Sequence, residues 1–366
     1  MSAVGERTRI GVIGCGLIAQ VMHLPYLTEL SDRFDLAAVC DLRENVAAGC
    51  AERFGVPRVL NQWEDMLDEP LDAVLIATSG DHAPIATRAA RAGMHVMVEK
   101  PMALSSAGAE EMAQAAEQAG VTLMVGTMKR YDPAYERLAE LLPLLDDVRL
   151  VRVTTLESPF APYVAHYPLI GLEGGSPEPM IDERERDTLD AALGEVDEET
   201  RWCYRWILLD NLVHEFNMLG GLLGAPDEIR FVHLSRQTVS IAMRFGRTEC
   251  QLWWVDLPGI ARYRQELSFY APAQRLTLEL PSPFLRSAPS RLLVEGGELD
   301  HARSWEREEI ASFDEAFKRE LVEFSECIRT GRTPRTSAAD GLRDLRLAEA
   351  VARTHAAARQ LPAGVS

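Results

Sequence analysis

Lysine is nearly missing from this chain: of its 38 basic residues, all but Lys100, Lys129 and Lys318 are arginine. Arginine is a permanent planar cation, whereas lysine is a compact donor whose proton shifts with burial, so a lysine kept against such a bias is a candidate for chemistry that arginine cannot do. The plain alternative for Lys100 is a surface charge at a strand end. Basic charge is also short overall, with 56 acidic residues giving a net charge of −18. That excludes a nucleic-acid partner, which needs a basic stripe to neutralise phosphates, and it disfavours an anionic membrane surface. Long apolar runs are absent too: no stretch approaches the roughly 18 uninterrupted residues of a membrane span. The opening MSAVGERTRI lacks the apolar core of a signal peptide. Among the six cysteines (Cys15, Cys40, Cys50, Cys203, Cys250, Cys327) there is no CxxC pair. They read as buried reduced thiols rather than a disulfide frame or a zinc site, and no metal is expected. These absences together predict a cytoplasmic protein.

What is present is enough apolar residue, 47% of 366, for two cores, because a chain of this length exceeds what one core usually supports. Strand-like runs occur at Arg9–Ile13, Asp35–Cys40, Ala73–Ala77, His95–Val98 and Thr122–Val125, with helical spacing between most of them. Continuous apolar strands separated by helices describe a parallel sheet covered on both faces, a doubly wound α/β domain. Its first turn reads Gly11-Val12-Ile13-Gly14-Cys15-Gly16-Leu17-Ile18-Ala19, and Asp41 closes the next strand. In that context Gly14 permits the tight turn, Gly16 lets backbone approach a pyrophosphate, Ala19 allows close helix packing, and the helix N-terminus offers free N–H groups. Leu17 and Ile18 complete the loop. Asp41 is placed to accept from the adenosine ribose hydroxyls and to repel a 2′-phosphate, which favours NAD, while Arg43 leaves NADP open.

The glycine loop and Asp41, with Ala77-Thr78-Ser79-Gly80-Asp81-His82, Glu99-Lys100-Pro101 and Val125-Gly126-Thr127-Met128-Lys129-Arg130-Tyr131-Asp132-Pro133, resemble the Gfo/Idh/MocA oxidoreductase family in order and spacing. The resemblance implies that Glu99 contacts the nicotinamide ribose and that Lys100 reaches the reacting oxygen. It implies that Thr78, Ser79 and His82 line the nicotinamide side and that Lys129 is a further cofactor contact. Ser79-Gly80 replaces the usual Pro-Asn, and Met128 stands where Asn is common. The expected domains are 1–131, dinucleotide-binding, and 132–366, an α+β domain for substrate and oligomerisation, with a final helix at about 336–359 that in the family packs back on the first domain.

In the second part the periodicity changes. Val148–Thr155, Ile229–Leu234, Val239–Phe245, Gln251–Val255, Glu266–Phe269 and Arg275–Leu280 predict an open, largely antiparallel sheet with one face packed and one free. In the family the free face commonly forms a subunit interface, so a homodimer or homotetramer is expected. A helix is expected at Phe313–Thr330. The segment Ser158–Thr200, Pro/Gly-rich and then acidic, is either a lid or a solvated insertion; its apolar half, with Tyr163, His166 and Tyr167, is the better candidate for covering a ligand.

Trp206 to Asn217 read WILLDNLVHEFN, in which Asp210 and His214 are four apart on an apparent helix and share a face. Trp202 and Trp206 continue the stripe, and apolar rings beside a carboxylate favour its neutral form. The pair has three readings: a structural hydrogen bond, two metal ligands with no third at short spacing, or an acid–base couple. The inferred nucleotide site favours the last, because hydride transfer needs a group that takes the hydroxyl proton. In the family an Asp-x-x-x-His pair faces the Lys of the first domain, and Lys100, Asp210 and His214 match it, although Cys203-Tyr204-Arg205-Trp206 replaces the usual glycine cluster and Asn217 stands where Asp is frequent. Arg130, Tyr163, His166 and Tyr204 are substrate-contact candidates. The expectation is an NAD(P)-dependent oxidoreductase acting on a secondary alcohol or ketone of a sugar, cyclitol or sugar-like intermediate. Its alternative is a cofactor-binding member without net redox, either a sensor or an enzyme using NAD transiently for hydrolysis or elimination.

Overall fold

A computed structural model of the chain describes residues 7–171, 181–298, 300 and 302–360. The chain forms two compact units that interleave in sequence: Met1–Met128, His166–Thr188 and Phe317–Leu345 make the first, and Lys129–Ala165, Leu189–Ala316 and Arg346–Ser366 the second.

The first unit holds six parallel strands, β1 (Thr8–Ile13), β2 (Phe34–Cys40), β3 (Arg58–Leu60), β4 (Ala73–Ile76), β5 (His95–Glu99) and β6 (Leu123–Gly126), in the order β3-β2-β1-β4-β5-β6. Every residue of β4 is fully buried, as expected of a strand covered by helices on both faces. Helices Glu44–Phe54, Ala83–Arg91 and Ser106–Ala119 provide cover, the last capped by the Ser105 hydroxyl, which accepts from the Gly108 amide at 3.1 Å. Strand order reverses between β1 and β4. Loops leaving those two strands therefore diverge to opposite sides and open a crevice at their carboxyl ends, where ligands of open α/β sheets bind. β3, only three residues long with two exposed, carries too little apolar pattern to be read from sequence. The segment entering the last helix, Ala338–Gln360, is tied to β6: the Val125 amide donates to Thr336 O at 2.9 Å, and the Thr336 hydroxyl to Val125 O at 2.7 Å.

The second unit is built on an eight-stranded sheet: β7 (Leu150–Glu157), β8 (Glu228–Leu234), β9 (Thr238–Phe245), β10 (Thr248–Asp256), β11 (Arg264–Tyr270), β12 (Gln274–Leu280), β13 (Arg291–Glu298) and β14 (Arg303–Glu309). Their order is β14-β13-β12-β11-β7-β10-β9-β8, with only the β7–β10 pair parallel. β9 alternates half-buried and buried along its whole length, so Val239, Ile241, Met243 and Phe245 face the core and the opposite face is free. Phe231 and Trp253 stay exposed on that free face, opposite Ala242 and Ser240 of β9. The helix Pro133–Leu141, capped by Asp132 through the Ala134 amide at 2.8 Å, packs on β12 and β13; such a cap is worth about 1 kcal/mol.

The structure corrects three sequence-based expectations here. β13 and β14 extend the sheet beyond the six strands expected. The helix expected from Phe313 starts at Ala316, and the acidic half of the insertion folds into helices Glu183–Leu193 and Glu198–Cys203. Residues 172–180 of the expected lid lie outside the described residues.

Candidate active site

In the first unit the glycine loop follows β1 at the reversal of strand order. Gly14 adopts φ +95°, and a Cβ there would stand 2.6 Å from the Ala77 carbonyl carbon, so both conformation and space demand glycine. Around Gly16 the opposite holds: an added Cβ would meet nothing within 4 Å, so the backbone there faces open space. Leu17 and Ile18 are half-buried beside it. Asp41, at the end of β2, accepts from the Cys15 amide at 3.0 Å and from the Arg43 amide and Nε at 2.9 and 3.1 Å. Burial alone would raise this carboxyl, but the Arg43 guanidinium and the two amides outweigh it and hold it below the usual carboxylate range. An open cradle at Gly16 with an ionised acid at the ribose position fits a dinucleotide with a free 2′-hydroxyl.

The loop after β4 and the turn after β5 are joined by His82, whose two ring nitrogens lie 2.8 Å from the carbonyls of Thr78 and Pro101. The ring is buried, so His82 braces the two segments against each other rather than presenting a free edge. Thr78 is half-buried and Ser79 exposed. Glu99 ends β5 beneath this turn, accepting from the Lys100 amide at 3.1 Å through Oε2 and meeting His23 Nε2 at 2.6 Å through Oε1. Lys100, half-buried, precedes a cis peptide to Pro101. The third lysine, Lys318, makes an exposed ion pair with Glu29 at 3.0 Å, as a surface charge should.

Beneath Glu99 lies a group that sequence reasoning missed. His23, Glu99 and Glu320 are all buried and bring ligand-type atoms within 4.8 Å of one another, the one such group among the described residues; neither Asp210 nor His214 belongs to it. Glu320 is fully buried and neither of its carboxyl oxygens has a hydrogen-bond partner among the described residues. Burial, and then the Glu99 charge, push it well above the usual carboxylate range. A signal was available: in the helix Ala316–Thr330, Glu320 falls on the same stripe as Phe317, Leu321 and Phe324.

In the second unit, Asp210 and His214 sit on a helix of two kinds. Tyr204–Leu212 is π-helical, and an α-helix takes over at Val213. This differs from the single α-helix that the spacing predicts, and such wide turns concentrate at functional sites. Asp210 is half-buried and His214 is 8% exposed. The tryptophan stripe is not bare: Arg205 stacks on Trp206 at 4.1 Å and Arg236 on Trp202 at 4.7 Å. Glu215, next to His214, is the root of a buried polar network on the packed face of the sheet. Thr155 Oγ1 and Gln265 Nε2 both donate to its Oε1. Lys129 Nζ in turn donates to Gln265 Oε1 at 2.6 Å and to the Tyr263 hydroxyl at 3.1 Å. Burial raises Glu157, against the opposing pull of Lys129, and burial with the neighbouring acids raises Tyr263. Lys129, expected at the cofactor, is thus 5% exposed with its ammonium engaged by side chains of its own unit. Consecutive polar residues at the strand-like run around Leu267, Gln265 and Glu266, both buried, were the available signal.

The substrate candidates divide. Tyr204 is fully buried and His166 is exposed, its ring against Tyr167 at 4.1 Å. Tyr163 is half-buried and its hydroxyl accepts from the Tyr263 amide at 2.7 Å; Arg130 is half-buried beside Gly221. All six cysteines are buried free thiols, and burial pushes Cys40, Cys203 and Cys250 up to about 12, which leaves them inert.

Strand order places the first unit in the doubly wound class of α/β domains, with the open loop at Gly16 and Asp41 at its reversal point. Residues 8–127 match the GFO_IDH_MocA family model, described as "Oxidoreductase family, NAD-binding Rossmann fold". Myo-inositol 2-dehydrogenase of Thermotoga maritima is 33% identical over 134 residues, 36% of this chain and 40% of that enzyme, so such matches span about two fifths of the relative's length. D-xylose 1-dehydrogenase (NADP(+)) 2 of Haloferax volcanii is 26% identical over 93% of this chain and 95% of that one. KijD10, a 3-ketoreductase from Actinomadura kijaniata solved in complex with NADP, shares the fold with a TM-score of 0.72 at 22% identity, over 96% of this chain and 98% of that one. No helix among the described residues is long and apolar enough to cross a membrane.

Proposed function

We propose that the protein is an NAD(P)-dependent dehydrogenase or reductase that moves hydride between nicotinamide C4 and a secondary alcohol or ketone of a sugar, cyclitol or sugar-like intermediate. The observation that carries this reading is the Gly14–Gly16 cradle and Asp41 at the reversal of strand order, with Glu99 and Lys100 on the same edge of the same sheet. Relatives named as inositol and xylose dehydrogenases support the substrate class.

A bound nicotinamide supplies the hydride acceptor or donor. Gly14 and Gly16 admit the pyrophosphate, Asp41 takes the ribose hydroxyls, and Glu99 orients the segment that carries Lys100. Lys100 donates to the substrate oxygen and lowers the energy of charge growing there. His214 takes the hydroxyl proton in oxidation and returns it in reduction, with Asp210 holding the imidazole and the oxygen. Arg130 and Tyr163 are assigned to the substrate's other polar groups. Lysine suits the first role because its ammonium is a compact donor on a flexible stem, which a planar guanidinium is not.

A homo-oligomer through the free face of the sheet, where Phe231 and Trp253 are exposed, completes the proposal, with a cytoplasmic location; light scattering and cell fractionation read these two points. For the activity itself, nicotinamide absorbance is followed with NAD and with NADP across a polyol panel. Steady accumulation of reduced cofactor with one substrate is expected. Tight cofactor retention with no net reduction across the panel would instead favour the sensor or transient-redox reading.

A further inference from the structure

The segment 167–171 makes contacts that a solvated insertion does not need. Gln20, in the helix that follows the glycine loop, is 5% exposed and clasps the backbone of Ile170 on both sides. Its Nε2 donates to Ile170 O at 3.0 Å, and its Oε1 accepts from the Ile170 amide at 2.8 Å. The same Nε2 also donates to Cys15 O at 2.8 Å, inside the glycine loop. One residue further on, Arg43 Nη1 donates to Gly171 O at 3.1 Å while its Nε holds Asp41 at 3.1 Å. Arg53 donates to Pro168 O. Packing agrees with the polar contacts: a Cβ on Gly49 would meet Ile170 Cγ2 at 3.0 Å, and one on Gly171 would meet Val46 Cγ2 at 2.4 Å. Glycine at 49 thus leaves a seat for the Ile170 side chain on the helix Glu44–Phe54. Of the three side chains that hold the segment, Gln20 and Arg43 also hold the two cofactor-binding positions, the glycine loop and Asp41.

We propose that residues 167–171 form a strap closing the adenosine end of the dinucleotide site, with Gln20 as its clasp and Arg43 as its latch, so that strap opening governs cofactor release. This rests on the dinucleotide-binding reading above and adds to it a dedicated element. Arg43 cannot turn to a 2′-phosphate without letting go of both Asp41 and Gly171, so the closed strap also selects the cofactor with a free 2′-hydroxyl. Its occupant is the adenosine portion of NAD(H), not the reacting end of the substrate.

The test loosens and locks the strap in the full chain and reads NADH directly, with no substrate present. Gly49→Leu fills the seat of Ile170 and lifts the strap. The double variant Gly49→Cys/Ile170→Cys, oxidised, pins it. NADH dissociation is followed by stopped-flow nicotinamide fluorescence, and hydrogen exchange at the Ile170 amide reports whether the strap has moved. Expected is release about tenfold faster in Gly49→Leu, with Kd rising in parallel and the Ile170 amide losing protection, and slower release in the pinned form, reversed by reduction. Dissociation within twofold of wild type in both variants overturns the strap proposal alone. A wild-type chain that binds no dinucleotide overturns the functional reading and the strap together, so the two failures are distinct.

Discussion

Lys129→Met removes a buried cation while keeping the side chain's volume. The ammonium donates to Gln265 at 2.6 Å and to Tyr263 at 3.1 Å, and Gln265 donates in turn to the buried Glu215 side chain. Hydrogen bonds to a charged group contribute about 1.5–3 kcal/mol each, and leaving a buried acceptor unsatisfied costs about 1–3 kcal/mol. Methionine's apolar contacts return part of this, so a net loss of about 3 kcal/mol is expected near pH 8. The pH dependence is the sharper signature. Burial already holds Glu157 above the usual carboxylate range, and loss of the nearby cation raises it further. An acid whose folded pKa lies above its unfolded value contributes stability that is complete below the unfolded pKa and lost as pH rises through the folded one. The deficit of the variant is therefore the hydrogen-bond loss alone near pH 5, and that loss plus the added Glu157 contribution near pH 8. Urea unfolding at both pH values, followed by tryptophan fluorescence, measures it. A loss under about 1 kcal/mol near pH 8, or one that does not change with pH, would refute the view that this network depends on the Lys129 charge.

Glu320→Gln replaces a carboxyl that burial and then Glu99 hold well above the usual range with a neutral isostere. By the same sign rule wild-type stability falls as pH rises through the raised value, so the variant is the more stable protein near pH 8 and its stability is flatter with pH; urea midpoints at two pH values read this. Asp41→Ala removes the acid that repels a 2′-phosphate and one of the two partners that hold Arg43, so the ratio of NADP to NAD affinity is expected to rise about tenfold, or 1.4 kcal/mol, by fluorescence titration. Gly14→Ala forces a Cβ to 2.6 Å from the Ala77 carbonyl at φ +95°, costing about 1–3 kcal/mol and abolishing NADH binding, as calorimetry and titration would report.

The Rossmann unit was legible because each of its central strands is a short apolar run buried on both faces, and because Gly14 has no conformational substitute. Strand β14 was not: its RSWEREE is exposed at almost every position, an edge held by pairing with β13 rather than by burial, and β13 itself carries two glycines. The π-helical turns around Asp210 were hidden for a different reason, since periodicity distinguishes a helix from a strand far better than one helical pitch from another. Lys100 stood out as a rare residue type. Glu320 and Glu215 did not, because each sits in a helix whose apolar stripe reads as ordinary core. The strap was visible only as an overlong connection; its partners, Gln20 and Arg43, lie more than 100 residues earlier in the chain.

The central proposal is that the ammonium of Lys100 and the imidazole of His214 act on one oxygen beside a bound nicotinamide. Its most direct measurement is turnover of a reactive polyol by the wild type, Lys100→Ala and His214→Ala, beside NADH affinity for each. The account predicts kcat lower by about 10²–10⁴ in both variants with NADH affinity within a few-fold of wild type. Full turnover in either variant would contradict it.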